Sequence, residues 1–356
     1  MWLTTVLGLL ATVSAAEPDV AQTLALLLPD NETHTKLVPQ PEALKWLASL
    51  SGPVAVVAVV GAYRTGKSWL LNELMRLPCT EGFVVGHRRQ TQTKGVWVSR
   101  RTGSENGTTV IYMDTEGFDG TGQADVYDDR ILAFATLVSS VLVYNLAETI
   151  KQQDIERLAF ASQLSREFWR RAHGSASLAG AEGEAEAGGD GDGGGVGGGN
   201  GGGGGDSSSS GDGEEWSAPA LLWLVQRDFL EGSSVQEYLK EALQTVPNPS
   251  KDEHARRLNQ VRETLRIFRT MAGMGLVQPH LKRTELCKLD RRTFDPDYLK
   301  GYLKVEEFVR THAAPKTTAF TSSAAEVTPR IGLDGPGLSS LAARLAKALN
   351  AQEIPS

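Results

Sequence analysis

Seven consecutive apolar residues, Val54 to Val60, run directly into Gly61-Ala62-Tyr63-Arg64-Thr65-Gly66-Lys67-Ser68. A run of that kind fits a strand covered on both faces of a sheet. Trp69, Leu70, Leu71, Leu74 and Leu77 then follow at helical spacing. Strand, glycine loop and helix in this order, with the spacing G-x-x-x-x-G-K-[ST], form a phosphate-binding loop. The physical reason is local. Gly61 and Gly66 let successive backbone N–H groups converge on phosphate oxygens, and the helix N-terminus adds its dipole. Lys67 is placed to reach the β and γ phosphates, and the Ser68 hydroxyl is offered to Mg²⁺.

A second apolar run, Val110 to Met113, ends in Asp114-Thr115-Glu116-Gly117. Taken alone, Asp114 is equally an ordinary strand-to-turn residue. Beside a phosphate loop it is placed to hold Mg²⁺ through water, and Gly117 lets the backbone approach a γ-phosphate. Between the two strands, Gln90 to Gly95 precede Val96-Trp97-Val98, and Thr93 is the hydroxyl that could complete the metal shell from a closing loop. The alternation of apolar runs and helical patterns predicts an α/β fold, a doubly wound and mostly parallel sheet.

The formal charge of -7 has a local source, because Gly174 to Glu215 carries nine acids and no base. The remainder holds 36 basic and 34 acidic residues, so no bulk field points to nucleic acid or an acidic membrane. With 19 of the 38 glycines, the same stretch is expected to be a disordered insertion at a helix-to-strand loop. Met1 to Ala16 read as a signal peptide or an apolar anchor. A leader favours the secretory pathway, endoplasmic reticulum or an endomembrane, with the cytosol as the alternative. In a secreted chain, Asn31-Glu32-Thr33 and Asn106-Gly107-Thr108 would be glycosylation sequons. Cys79 and Cys287 lack metal or redox spacing, and sequence leaves their pairing open. The six histidines show no ligand spacing. Near the end, Leu338, Leu341, Ala342, Leu345 and Leu349 predict a helix that docks on the main domain or begins a larger helical region.

Together these pieces resemble the guanylate-binding protein and atlastin branch of the large dynamin-type GTPases, most closely the plant-type guanylate-binding family proteins. The resemblance rests on Gly61 to Ser68, Thr93-Lys94-Gly95, Asp114 to Phe118, Val143-Tyr144-Asn145 and Trp223 to Phe229. It implies a nucleotide domain over residues 38–315, interrupted by 174–215, with residues 330–356 the start of a shortened helical region. It also implies a Mg²⁺-dependent GTPase whose partners are GTP and GDP. The nucleotide set it implies is Gly61, Tyr63, Arg64, Thr65, Gly66, Lys67, Ser68, Trp69 and Gly117, with Arg227 and Asp228 at the base, and Ser68, Thr93 and Asp114 at the metal.

On sequence alone Arg227-Asp228 would be a surface ion pair. The resemblance makes Asp228 the reader of guanine, because its carboxylate can accept from N1–H and the 2-amino group, which adenine does not offer. It also assigns hydrolysis to Arg64 as a finger in cis, Lys67, Thr91 and Glu116. Thr91 stands where well-known animal members carry Ser. A homodimer through the nucleotide domain is implied, and family members work at membranes. The rival reading is a module that binds GTP and presents a surface without turnover. A phosphate-loop ATPase or kinase would leave Arg227-Asp228 without a role.

Overall fold

The structure is a computed structural model and describes residues 22–86, 93–100, 107–120, 125–179, 217–318 and 331–351. Met1 to Ala16, Thr91, Asn106 and the bulk of the insertion lie outside the described residues.

Eight strands form one mixed sheet: β1 (Leu24–Pro29), β2 (Leu37–Pro39), β3 (Val54–Val60), β4 (Val96–Arg100), β5 (Thr109–Thr115), β6 (Val141–Leu146), β7 (Ala220–Gln226) and β8 (Met271–Leu276). Their order is β2-β1-β4-β5-β3-β6-β7-β8. From β5 to β8 every pairing is parallel, whereas β2, β1 and β4 join antiparallel at one side. The phosphate-loop strand β3 is thus central, and all seven of its residues are buried. Its side chains alternate between two cores, Val54, Val56, Ala58 and Val60 on one face and Val57 and Val59 on the other, as the two-residue repeat of a strand requires.

The first face is covered by α1 (Pro41–Ala48), α3 (Asp125–Val138), α4 (Gln152–Ala179) and α8 (Gly335–Ala351), and the second by α2 (Lys67–Met75) and α7 (Pro296–His312). Two shorter-range helices, α5 (Val235–Ala242) and α6 (Glu253–Thr264), connect β7 to β8. Asp252 and Ser234 cap them, Ser234 in a reciprocal box with Glu237. The α4 backbone continues through Ala179, six residues into the stretch expected to be disordered. The good helix formers Ala176, Leu178 and Ala179 between Gly174 and Gly180 allow that extension.

The terminal helix docks. Leu338, Ala342, Leu345, Ala346 and Leu349 are buried in the same core as Ala43 and Leu47. Polar contacts fix its register: Ser339 Oγ donates to the Leu44 carbonyl at 2.8 Å, and Asn350 exchanges two 2.8 Å hydrogen bonds with the backbone of Leu37. No helix among the described residues is long and apolar enough to cross a membrane.

Cys79 and Cys287 form a disulfide, with Cα atoms 5.6 Å apart and a sequence separation of 208. It ties the loop after α2 to the segment between β8 and α7. Ion pairs from Arg291 to Glu73 (3.6 Å) and Arg76 to Glu306 (3.0 Å) reinforce the same seam. A cross-link across so long a loop restricts the unfolded chain and typically contributes about 2–4 kcal/mol. The Cys79→Ser/Cys287→Ser chain is therefore expected to melt roughly 5–15 °C lower than the parent in a calorimetric scan. An unchanged Tm would mean that packing alone sets the stability of this seam.

Candidate functional site

The loop after β3 can take only the shape it has. Gly61 sits at φ +142°, and a Cβ there would lie 2.1 Å from the Asn145 carbonyl oxygen. Asn145, buried at the end of β6, is locked beneath the loop: its Nδ2 donates to the Thr65 carbonyl at 2.9 Å, and its Oδ1 accepts from Gln226 Nε2 at 2.9 Å. Arg64 adopts φ +61°, with its guanidinium 5.7 Å from the Tyr63 ring centroid. Thr65 Oγ1 closes the turn onto the Ala62 carbonyl at 2.9 Å. Gly66, at φ +84°, then starts α2.

Lys67 folds back over the loop and donates to the carbonyls of Gly61 (3.2 Å) and Ala62 (3.1 Å). Burial pushes its pKa down to about 8, against the upward pull of Asp114, Glu116 and Asp128. Gly117 brings the second loop into contact: a Cβ there would lie 2.5 Å from Tyr63 Cα and 2.9 Å from Lys67 Nζ. Reciprocal backbone bonds, Tyr63 N–H to Phe118 and Phe118 N–H to Gly61, hold the two loops together.

Three residues from three separate segments meet beside Lys67. Ser68 Oγ donates to Asp114 Oδ2 at 2.7 Å, Thr93 Oγ1 to the same oxygen at 3.1 Å, and the two hydroxyls stand 3.4 Å apart. Asp114 Oδ1 is buried with no hydrogen-bond partner. Burial raises the pKa of this carboxyl, opposed by Lys67 and the two hydroxyls. A buried carboxylate oxygen left unmatched beside two hydroxyls is an all-oxygen donor set, which suits a hard divalent cation such as Mg²⁺. Among the described residues no cluster of three or more His, Cys, Asp or Glu could hold a metal by itself.

At the other end, Asp228 follows β7. Its backbone N–H donates to Leu276 at 2.8 Å, and its carboxylate packs so closely on Gly275 that a Cβ there would lie 1.8 Å from Oδ2. Burial raises the pKa of this carboxyl, which is the cost a hydrogen-bonding base would relieve. Arg227, at φ +60°, turns aside to Glu148 at 3.4 Å. The Trp69 side chain also turns away from the phosphate loop and is buried between Phe294 (6.1 Å) and Tyr298 (5.7 Å). Its contribution to a phosphate site is therefore confined to the backbone. Glu116 is buried and accepts from the Gly95 N–H at 2.7 Å and Tyr127 Oη at 3.3 Å.

The phosphate loop, the Ser68–Thr93–Asp114 cluster and Asp228 thus stand on one edge of the sheet, at the carboxyl ends of β3, β5 and β7. Residues 34–185 match the family described as guanylate-binding protein, N-terminal domain. Over those residues, which are less than half of the chain, it is similar to the guanylate-binding proteins. Human guanylate-binding protein 3 is 40% identical over 152 residues, which are 42% of this chain and 25% of that protein. Mouse guanylate-binding protein 1 is 37% identical over 153 residues, again 42% of this chain and 25% of the relative. Human guanylate-binding protein 2 is 27% identical over 352 residues, 95% of this chain and 52% of that protein. The chain therefore spans about half or less of the length of these relatives. Asp228 lies beyond the family match, within the longer alignment.

Asn145 was visible in the sequence as part of a motif, but not as the post beneath the loop. That role depends on Gln226 and Thr65, which only the fold brings to it. Lys67 gives a direct readout of the site. A polyphosphate beside Nζ favours the charged form, so binding must raise a pKa that burial holds near 8. Between about pH 8 and the ordinary lysine value of 10.5, GTP binding is expected to take up a proton. Calorimetry at pH 8.5 in two buffers of different ionisation enthalpy measures this. The uptake should fade at pH 6.5, where Lys67 is already charged, and a buffer-independent heat at pH 8.5 would contradict it.

Proposed function

We propose that the chain binds GTP with Mg²⁺ at this edge of the sheet and hydrolyses it to GDP and phosphate. The observation that carries the reading is the convergence of Ser68, Thr93 and Asp114 within 3.4 Å of one another, next to a lysine folded over the phosphate loop. Backbone N–H groups of residues 61–69 and Lys67 Nζ would take the phosphate oxygens. Ser68, Thr93 and Asp114 would hold Mg²⁺, whose contribution is to neutralise charge on the β and γ oxygens. A water oxygen attacks the γ phosphorus, the bond to the β–γ bridging oxygen breaks, and that oxygen keeps the electron pair. Arg64, on the same loop, is suited to offset charge growing on the bridging oxygen as a finger in cis. Glu116 and Thr91 are assigned to the attacking water.

Asp228 selects the base. Its partly desolvated carboxylate is matched by guanine N1–H and the 2-amino group and left unmatched by adenine. The apolar side chains of Phe229, Leu230 and Leu281 are 60, 66 and 92% exposed, the first two directly after Asp228. Such surface supports a homodimer through this domain that assists turnover. The Cys79–Cys287 disulfide favours a compartment that oxidises thiols, in keeping with Met1–Ala16 as a leader.

Phosphate release from GTP and ATP, followed at several protein concentrations, tests the reading. GTP-specific release with a rate per molecule that rises with concentration is expected, and full occupancy without release would leave a binding module. Asp228→Asn should exchange GTP for XTP, because the amide donates where xanthine carries a carbonyl. The swing in preference should reach about 10⁴- to 10⁵-fold, and unaltered GTP affinity would place base reading elsewhere. Arg64→Ala should keep nucleotide affinity and lower kcat by about 10³-fold or more; an equal kcat in stopped-flow assays would make Arg64 a bystander.

A further inference from the structure

The end of β8 far from Asp228 carries a second concave site. A pocket of about 310 Å³ opens beside Met271, the first residue of that strand, and is lined by Arg262, Arg266 and Arg269 together with the apolar side chains of Leu243, Phe268 and Met271. The Asp228 N–H bonds to Leu276, the last residue of β8, so the length of the strand separates this pocket from the base side of the nucleotide site.

The walls are built by the protein itself. Arg262 lies in the last turn of α6, and a single tight turn, Leu265–Ile267, then feeds the chain toward β8, closed by the Phe268 N–H on the Leu265 carbonyl at 3.1 Å. Asn259 of α6 exchanges two hydrogen bonds with the backbone of Val246, at 2.7 and 2.9 Å, which fixes α6 against the chain that follows α5. On its other side, Thr264 Oγ1 accepts from Gln163 Nε2 of α4 at 3.1 Å. Leu265 and Phe268 are buried beneath, so the floor is part of the core.

Arg262 is the lining residue that the fold leaves unsatisfied. Its Nε and Nη1 are shielded from water and have no hydrogen-bond partner among the described residues. A guanidinium stays charged at any ordinary pH, so two shielded donors without an acceptor cost stability. Arg266 pairs with Glu263 at 3.1 Å, with both side chains largely exposed, and Arg269 adds a third cation at the exposed rim. A phosphate monoester carries about −1.5 to −2 charges and three acceptor oxygens, and it answers several guanidinium donors at once. A carboxylate brings one charge and two oxygens. The pocket also matches the lower end of the size range for small-molecule sites, about 300–1,000 Å³, which are mostly apolar with a few placed polar groups.

We propose that this pocket binds the phosphate group of an organic phosphate monoester, with Arg262 receiving the phosphate and Leu243, Phe268 and Met271 packing against its carbon body. The site is separate from the nucleotide edge and does not rest on the GTPase reading. A soluble ester and a phospholipid headgroup both present this group, and the experiment separates them.

Phenyl phosphate is titrated calorimetrically, in low salt, into the full chain held in excess GDP and Mg²⁺ to occupy the phosphate loop. Saturable binding is expected in the parent, and phenol, which lacks the phosphate, should give none. Arg262→Gln should weaken binding by about 10- to 100-fold, the usual worth of a hydrogen bond to a charged group. Arg266→Gln, at an exposed position that folding does not need, should weaken it several-fold. Both variants should keep the parent's affinity for a fluorescent GTP analogue. In co-sedimentation, Arg262-dependent binding to vesicles containing phosphatidic acid, beyond that to phosphatidylcholine alone, assigns a lipid source; phenyl phosphate binding without it assigns a soluble ester. Arg262→Leu, melted in phosphate-free buffer, should unfold at or above the parent Tm, because it removes a shielded cation that nothing in the chain answers. A clear fall in that Tm would make Arg262 a structural residue and overturn the proposal. Phenyl phosphate binding that is undiminished in Arg262→Gln, or a parent that takes neither phenyl phosphate nor phosphatidic acid vesicles, overturns it as well.

Discussion

Burial of one carboxylate organises this end of the molecule. Asp114 lies at the carboxyl end of β5, almost without solvent, and its charge would be far out of place there unless matched. Ser68 and Thr93 donate to one of its oxygens, and Lys67 supplies a nearby positive charge. The helpers come from two other segments, so the first turn of α2, the approach to β4 and the end of β5 are bound to one another. The second oxygen has no protein partner. The fold thus leaves one acceptor oxygen unmatched at the point where three segments converge.

Parallel pairing accounts for the grouping of the remaining parts. Strands β5, β3, β6, β7 and β8 run the same way, so their carboxyl ends share one edge, carrying Asp114, Gly61, Asn145, Asp228 and Leu276 in turn. Ligands in open α/β sheets bind at that edge, where successive connections leave in opposite directions from a central strand. Here β3 is that strand, with its chain continuing to β4 and β5 on one side and returning to β6 on the other. The close approaches follow from the same crowding. Gly61 lies against Asn145, Gly117 against Tyr63 and Gly275 against Asp228, each too close for a Cβ.

The parts legible in the sequence were those encoded by consecutive residues. Val54 to Val60 announced a doubly covered strand, and Gly61 to Ser68 announced both the loop and the helix that follows. Asp114 and Thr93 could be placed because each adjoins an apolar run. The antiparallel side of the sheet was less legible: β1 and β2 are short, and their apolar residues carry no period long enough to separate strand from loop. The docking of α8 was left open because an amphipathic face does not name its partner; Leu47 and Leu37 supply it from the far end of the chain. The pairing of Cys79 with Cys287 was hidden for the same reason, since only the packing of α2 beside the segment before α7 brings them together.

That packing has a consequence for how the two halves of the site are joined. The phosphate loop leads into α2, and the base side depends on β8 and the segment that leaves it. On the second face of the sheet Trp69 of α2 is wedged against Phe294 and Tyr298, and Tyr302 Oη of α7 donates to the Glu73 carbonyl at 2.8 Å. Arg291 stacks 4.4 Å over the Tyr302 ring while pairing with Glu73. The disulfide lies in the same seam. The helix that follows the Gly61–Ser68 loop and the segment that leaves β8 are therefore fixed to each other by aromatic packing, ion pairs and a covalent bond, so the relative placement of Lys67 and Asp228 is set by the protein.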